Sequence, residues 1–196
     1  MLPRIGPQTP DIPPWEPIDM VLVGEAPGKD EVTEGIPFVG KAGQLLDQML
    51  LASGIDRRLL YITNVFLLRP PNNKVAHFFV RPAEALTENI YFCREYPAYN
   101  DMYLRKEFLP ELERLADEIS MIKPKVLVAL GATAMWAFTG ISGGITRERG
   151  SMYSSTLVPT MTVFPTLHPS YILRNKNEFN NVVEDLKKAK AYAEKG

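Results

Sequence analysis

Sulfur ligands are almost missing from this chain, which has one cysteine, Cys93, in 196 residues. That excludes an intramolecular disulfide and any metal site built from several thiolates, and no metal ligand set is expected. Charge of one sign is missing too. A net charge of −1 argues against a nonspecific polycation, although a local basic face touching a few phosphates would still supply much of the affinity for a nucleic acid. The longest apolar run, Val126 to Phe138, is interrupted by Gly131 and too short to span a bilayer. Met1 to Pro17 is rich in proline and lacks the apolar core of a secretion signal. The chain reads as soluble, intracellular and cytoplasmic, with residues 1–18 as an extended surface arm. It has no internal repeat and no long low-complexity tract.

What the chain does have is apolar material for one substantial core. Hydrophobic residues make up 45% of it, which points to a single domain over 1–196. Short apolar runs predict strands at Asp19–Gly24, Leu59–Leu68, Lys125–Leu130 and Met161–Leu167. Between them lie helical patterns. Gln44–Ser53 places Leu45, Leu46, Met49 and Leu50 on one face, Tyr103–Met121 is amphipathic, and Ala132–Phe138 is short with Trp136 and Phe138 as core. The last helix turns Phe179, Val182, Val183 and Leu186 inward. Residues 75–102 form an aromatic-rich insert without a readable period. This alternation predicts an α/β fold, a three-layer α/β/α sandwich on a central four-stranded, mainly parallel sheet.

Four features at the predicted strand ends carry chemistry. Gly24-Glu25-Ala26-Pro27-Gly28 follows the first strand, where open α/β sheets bind their ligands. Gly35 to Lys41 nearly spells a phosphate-binding loop, but Ala42 stands where Ser or Thr is needed and Pro37 removes an amide, so nucleotide binding is rejected. What remains is Phe38 on a glycine-flanked loop, suited either to stacking on a planar base or to plugging the core. Asn64 sits inside an apolar run, where an unpaired amide costs about 1–3 kcal/mol, so it needs a backbone partner or a ligand edge. His168 stands at a strand end, locked by Pro169. His77 reads as a packing or exposed histidine. Arg69 and Lys74 flank the loop after the second strand and face either phosphates or solvent.

The segments GEAPG, GIPFVGKAGQLLD, YITNV with RPP after it, and LHPSYILRN resemble the motif series of the family 4 uracil-DNA glycosylases. The resemblance covers roughly residues 19–74 and 105–190, with four motifs in order. It implies a monofunctional DNA repair enzyme that flips uracil out of DNA and hydrolyses the N-glycosidic bond, leaving an abasic site. Its partner would be uracil-containing DNA, single- or double-stranded, and it would act as a monomer. Glu25 and His168 would be catalytic, and Gly24, Ala26, Phe38, Asn64 and His168 would hold uracil. Lys41, Arg69, Ser170, Tyr171, Leu173 and Arg174 would contact DNA, with Arg147 and Arg149 near it. Family members commonly hold an iron-sulfur cluster through four cysteines, a pair before the first strand, one at the position of Leu68 and one somewhat later. This chain keeps only Cys93, and a single thiolate cannot hold a cluster. The expectation is therefore no cofactor, with the insert and the proline-rich arm packing into a hydrophobic minicore in place of the metal. Two further readings stay open at this level. One is a catalytically weak or inactive DNA-binding or replication-partner module on the same fold, and the other is a glycosylase for another deaminated or modified base.

Overall fold

Runs of Val, Leu, Ile and Met with no polar interruption form strands that both faces of a sheet can bury. In the computed structural model, which describes residues 1–195, these runs become the centre of the molecule. In chain order the elements are β1 (Met20–Gly24), α1 (Lys29–Glu34), α2 (Gly40–Ala52), β2 (Tyr61–Asn64), β3 (Phe79–Val80) and α3 (Pro82–Glu88). They continue with β4 (Tyr103–Leu104), α4 (Leu109–Ile122), β5 (Val126–Leu130), α5 (Ala132–Thr139), α6 (Ile145–Glu148), β6 (Tyr153–Ser154), β7 (Thr162–Thr166), α7 (Pro169–Ile172) and α8 (Phe179–Ala193).

The main sheet has the order β2-β1-β5-β7-β6. The four expected strands pair in parallel, and the two-residue β6 adds a fifth, antiparallel edge. A strand of two residues is too short to leave a period in the sequence, which is why four were expected. Strand order reverses between β1 and β5, because the chain first steps outward to β2 and later returns to the other side of β1. That reversal opens a crevice above the carboxyl ends of the strands.

Alternation along each strand divides the core in two. Val21, Val23, Leu127 and Ala129 face α4, α5 and the insert, whereas Met20, Leu22, Val126 and Val128 face α2 and α8. The layers are those of an α/β/α sandwich. Among the described residues no helix is long and apolar enough to cross a membrane.

Two segments that the sequence left without detail take a defined form. The N-terminal arm, exposed along most of its length, runs extended and antiparallel along β2. Gln8 and Ile62 exchange both backbone hydrogen bonds, at 2.8 and 3.0 Å, the Ile5 amide donates to the Leu67 carbonyl at 3.1 Å, and the Ile5 side chain is buried. An edge strand presents unpaired backbone groups, and the arm covers them. The insert is ordered around β3, α3 and β4. Phe66 stacks on Phe78 at 4.1 Å, Phe78 meets Phe108 edge-on at 4.8 Å, and Phe79 packs against Trp136 at 5.1 Å. Cys93 is buried in this cluster, with Leu2 from the arm and Leu68 packed against it.

Candidate active site

The loops leaving β1, β2 and β7 enclose a cavity of about 620 Å³ whose lining includes Glu25, Phe38, Asn64 and His168. Four distant parts of the chain therefore meet in one place. Gly24, the last residue of β1, lies beneath it. A Cβ there would come within 2.5 Å of the Phe38 ring and would also strike the Asn64 amide oxygen, so glycine lets the aromatic ring lie directly on the strand backbone. Phe38 takes the left-handed conformation, φ 54°, which is unfavourable for an aromatic residue. The surroundings hold it there. Glu31 accepts the Phe38 amide at 2.7 Å and the Gly28 amide with its other oxygen. Arg57 donates to the Phe38 carbonyl at 3.0 Å and the Pro37 carbonyl at 2.8 Å. On the other side Gly43 leaves room for the Phe38 carbonyl, since a Cβ there would overlap it. Such over-determination is what keeps a strained residue in place.

Gly24→Ala is expected to displace the Phe38 ring and the Asn64 amide together. Overpacking of this kind costs about 1–3 kcal/mol of stability, and thermal unfolding beside a base-release assay would read both effects. Retention of full stability and full activity would contradict the close packing of ring on strand.

The polar groups of the cavity differ in how they are satisfied. Asn64 is only 1% exposed, and its Nδ2 has no hydrogen-bond partner in the protein. A backbone partner therefore does not account for this donor. Behind it, Arg114 donates to the Asn64 carbonyl at 2.8 Å and the Val65 carbonyl at 2.9 Å, fixing the strand end from which the amide projects. His168 caps α7, its Nδ1 accepting the Ser170 amide at 3.1 Å. An accepting Nδ1 leaves the ring proton on Nε2. Burial pushes the His168 pKa down to about 4, so at neutral pH the imidazole is an uncharged donor. Its ring centroid lies 5.5 Å from that of Phe38, tilted by 35°. Glu25 accepts a 2.5 Å hydrogen bond from Thr133 Oγ1. Burial raises the Glu25 pKa above its ordinary value, and the Thr133 hydrogen bond opposes that rise.

The remaining candidates from the sequence divide into two groups. Ala26 lines the cavity, and Ser170, Tyr171, Leu173 and Arg174 form one rim of it. Tyr171 and Leu173 are exposed over 36% and 40% of their surface. Lys41 is exposed in the first turn of α2 outside the lining, although its neighbour Ala42 borders the cavity. Arg69 also stands back, donating to the Asn73 side chain at 3.0 Å, and Asn73 with Pro70 supplies that part of the lining. Lys74 is exposed outside the lining as well. Arg149 has a structural task. It pairs at 2.7 Å with Asp185, which is 1% exposed, and also donates to the Asn181 carbonyl, tying its loop to α8. Arg147 is exposed and pairs with Glu148 at 2.6 Å. His77 packs against Phe78 and Phe108, as a packing histidine should.

Sequence reasoning passed over Glu31, Arg57 and Thr133. Glu31 and Arg57 sit in polar stretches where a charge reads as solvated, and Thr133 lies in an apolar helix where a threonine reads as core. Only the three-dimensional arrangement gives them partners.

Comparison with known proteins identifies the family. The family model of the uracil DNA glycosylase superfamily matches residues 13–187. A type-4 uracil-DNA glycosylase of Thermotoga maritima is 39% identical over 179 residues, covering 90% of this chain and 78% of the relative. The type-4 uracil-DNA glycosylase of Sulfurisphaera tokodaii is 35% identical over 181 residues, covering 89% and 70%. That of Saccharolobus solfataricus is 30% identical over 178 residues, covering 88% and 70%. A family match that runs from the N-terminal arm to the middle of α8, beside relatives at least 30% identical over most of this chain, leaves one assignment: the chain belongs to the uracil DNA glycosylase superfamily.

Proposed function

We propose that the protein excises uracil from DNA by hydrolysing its N-glycosidic bond, acting as a monomer on single- or double-stranded substrate. The observation that carries this reading is the meeting of Phe38, Asn64, His168 and Glu25 around one cavity, with the buried Asn64 Nδ2 lacking a partner in the protein.

A base inside a duplex hides its glycosidic carbon, so the target nucleotide must swing out of the stack. The exposed Tyr171 and Leu173 are suited to filling the gap left behind, with Arg174 on a phosphate, and Ser170, Arg69 and Lys41 along the same backbone. In the cavity Phe38 stacks on the pyrimidine. Asn64 donates from Nδ2 to uracil O4 and accepts from N3–H, whereas cytosine presents a donor and an acceptor in reversed positions. As the C1′–N1 bond stretches, its electron pair moves onto the base and positive charge grows on the sugar. The neutral His168 donates from Nε2 to uracil O2, where that negative charge accumulates. Glu25, ionised, takes a proton from a water whose oxygen bonds to C1′. The base leaves as its anion and takes a proton at N1 from solvent, to which Glu25 gives up the proton it accepted, so the products are free uracil and an abasic site. No lysine lines the cavity among the described residues, which supports hydrolysis without strand scission.

Incubation with a uracil-containing oligonucleotide, followed by alkali, tests the reaction. Cleavage at the uracil position only after alkali is the expected result. An intact strand at enzyme excess would remove the catalytic reading.

The family's iron-sulfur cluster does not fit the residues present. One thiol is available, and the position of a further ligand is taken by Leu68, packed with Leu2 against the apolar cluster that buries Cys93. We propose that this aromatic and aliphatic packing takes over the structural role of the cluster. Burial also raises the Cys93 thiol pKa, which opposes the thiolate form a metal needs. Iron and acid-labile sulfide analysis of purified protein should give far less than one equivalent of each, and stoichiometric iron would overturn the proposal.

A further inference from the structure

Glu25 is held by a side chain that no motif singles out. Thr133 is fully buried in the first turn of α5, with its hydroxyl 2.5 Å from the Glu25 carboxylate and 3.1 Å from the Tyr99 hydroxyl. A threonine in the first turn of a helix has no helical carbonyl one turn back to receive its hydroxyl proton, and Thr133 reaches across to another segment. Its hydroxyl has one proton, so with that proton given to Glu25, its oxygen receives the proton of the Tyr99 phenol. The result is a chain of donors running Tyr99 to Thr133 to Glu25, in which each bond polarises the next.

Tyr99 comes from the aromatic insert, and its position is built with care. Tyr99 and Met102 exchange backbone hydrogen bonds at 2.7 and 3.0 Å across a tight turn, in which Asn100 and Asp101 both take left-handed conformations. Ser142, in the loop after α5, accepts the Asn100 amide at 2.7 Å. Trp136 donates from its indole to the Pro97 carbonyl at 2.9 Å, and the Tyr99 ring packs between Phe79 at 4.9 Å and Trp136 at 5.7 Å. The turn is therefore clamped to α5, the helix that carries Thr133.

We infer that Tyr99 and Thr133 are positioning residues for the glycosidic reaction, which fix the orientation and charge of the Glu25 carboxylate, and that the insert is thereby part of the active site. This inference rests on the reading of Glu25 as the group that activates water. The other ionisable groups of the cavity are His168, neutral, together with Glu31, Tyr171 and Arg174, and Thr133 is the side chain that hydrogen-bonds Glu25. Burial raises the Glu25 pKa while Thr133 lowers it. Removing the Thr133 hydroxyl should therefore raise it further. Because the ionised carboxylate is the active form, the rate is lost as pH falls through that pKa, and the acid limb of the profile should move to higher pH.

The test compares the wild-type protein with Thr133→Val, Thr133→Ser and Tyr99→Phe. Two readouts are needed, single-turnover uracil release across pH and a carbon-13 carboxyl titration in which the Glu25 resonance is assigned by its loss in Glu25→Gln. Thr133→Val should lower the plateau rate by about tenfold or more, with DNA affinity unchanged, and should shift both the acid limb and the Glu25 titration upward. Thr133→Ser, which keeps the hydroxyl, should restore both. Tyr99→Phe should shift them in the same direction by less, and it keeps the inference testable should Thr133→Val fail to fold. A Thr133→Val or Tyr99→Phe protein with the wild-type titration, or with the wild-type plateau rate, overturns the inference. A wild-type protein that releases no uracil would instead refute the proposed function, and the titration alone would then decide whether the chain holds Glu25.

Discussion

Asn64→Ala is expected to slow uracil release by about a thousandfold while leaving the protein as stable as before, within about 1 kcal/mol. The combination follows from the unpaired Nδ2 in a residue that is 1% exposed. A buried amide donor without a partner costs the folded protein about 1–3 kcal/mol, so deleting it relieves a cost that offsets the loss of packing. An extruded uracil would complete the missing hydrogen bond through O4. Sites built to pair with a polar substrate edge discriminate by factors on the order of 10⁴ against analogues that lack it, and removing the protein's half of that pairing should forfeit a comparable share. Single-turnover release and chemical denaturation, measured on the same preparation, read the two quantities. A large loss of stability with modest loss of rate would mean that Asn64 serves the strand rather than the substrate. The Arg114 bonds to the Asn64 and Val65 carbonyls do not involve the side chain, so the strand end should survive the substitution.

His168→Ala is expected to cost about a hundred- to a thousandfold in the rate of base release, the usual price of losing one donor to a developing oxyanion. Affinity for uracil-containing DNA should change little, because the interaction grows with the charge on O2 and is weak in the ground state. The pH profile gives an independent check. His168 has its pKa pushed down to about 4 by burial, so across pH 5.5 to 9 it stays neutral and should produce no inflection near 6.5. The acid limb should come from Glu25, whose pKa is raised by burial. Since its ionised form accepts the proton, activity falls as pH drops through that raised value. A limb near 6.5 that disappears in His168→Ala would contradict the neutral-donor role.

The sheet and the four pocket residues were legible because each leaves a local mark. Parallel strands buried on both faces appear as unbroken runs such as Val126–Leu130, and Asn64 stands out as a polar residue inside one. Gly24 and Phe38 are visible as a glycine ending a strand and an aromatic flanked by Pro37 and Gly40. The support around them was not legible. Glu31 and Arg57 hold Phe38 through its own backbone, and a contact with a backbone atom imposes no residue type on the partner. Thr133 and Tyr99 lie 34 positions apart and meet only because the insert folds onto α5. The pairing of the arm with β2 was not legible for a related reason: its bonds to Ile62 and Leu67 are made by the backbone, so its side chains carry no period. The partner of Arg149 was equally hidden: a charge in a loop was placed near DNA with no partner named, and Asp185, which it pairs with, lies on the buried side of α8.

A crystal structure with free uracil and abasic DNA tests most directly whether these strand ends form a receptor for an extruded pyrimidine. The base should lie flat against the Phe38 ring, with N3 and O4 at the Asn64 amide and O2 at His168 Nε2. Uracil bound elsewhere, or a cavity closed by Phe38 with Asn64 turned to the protein's own backbone, would contradict the account.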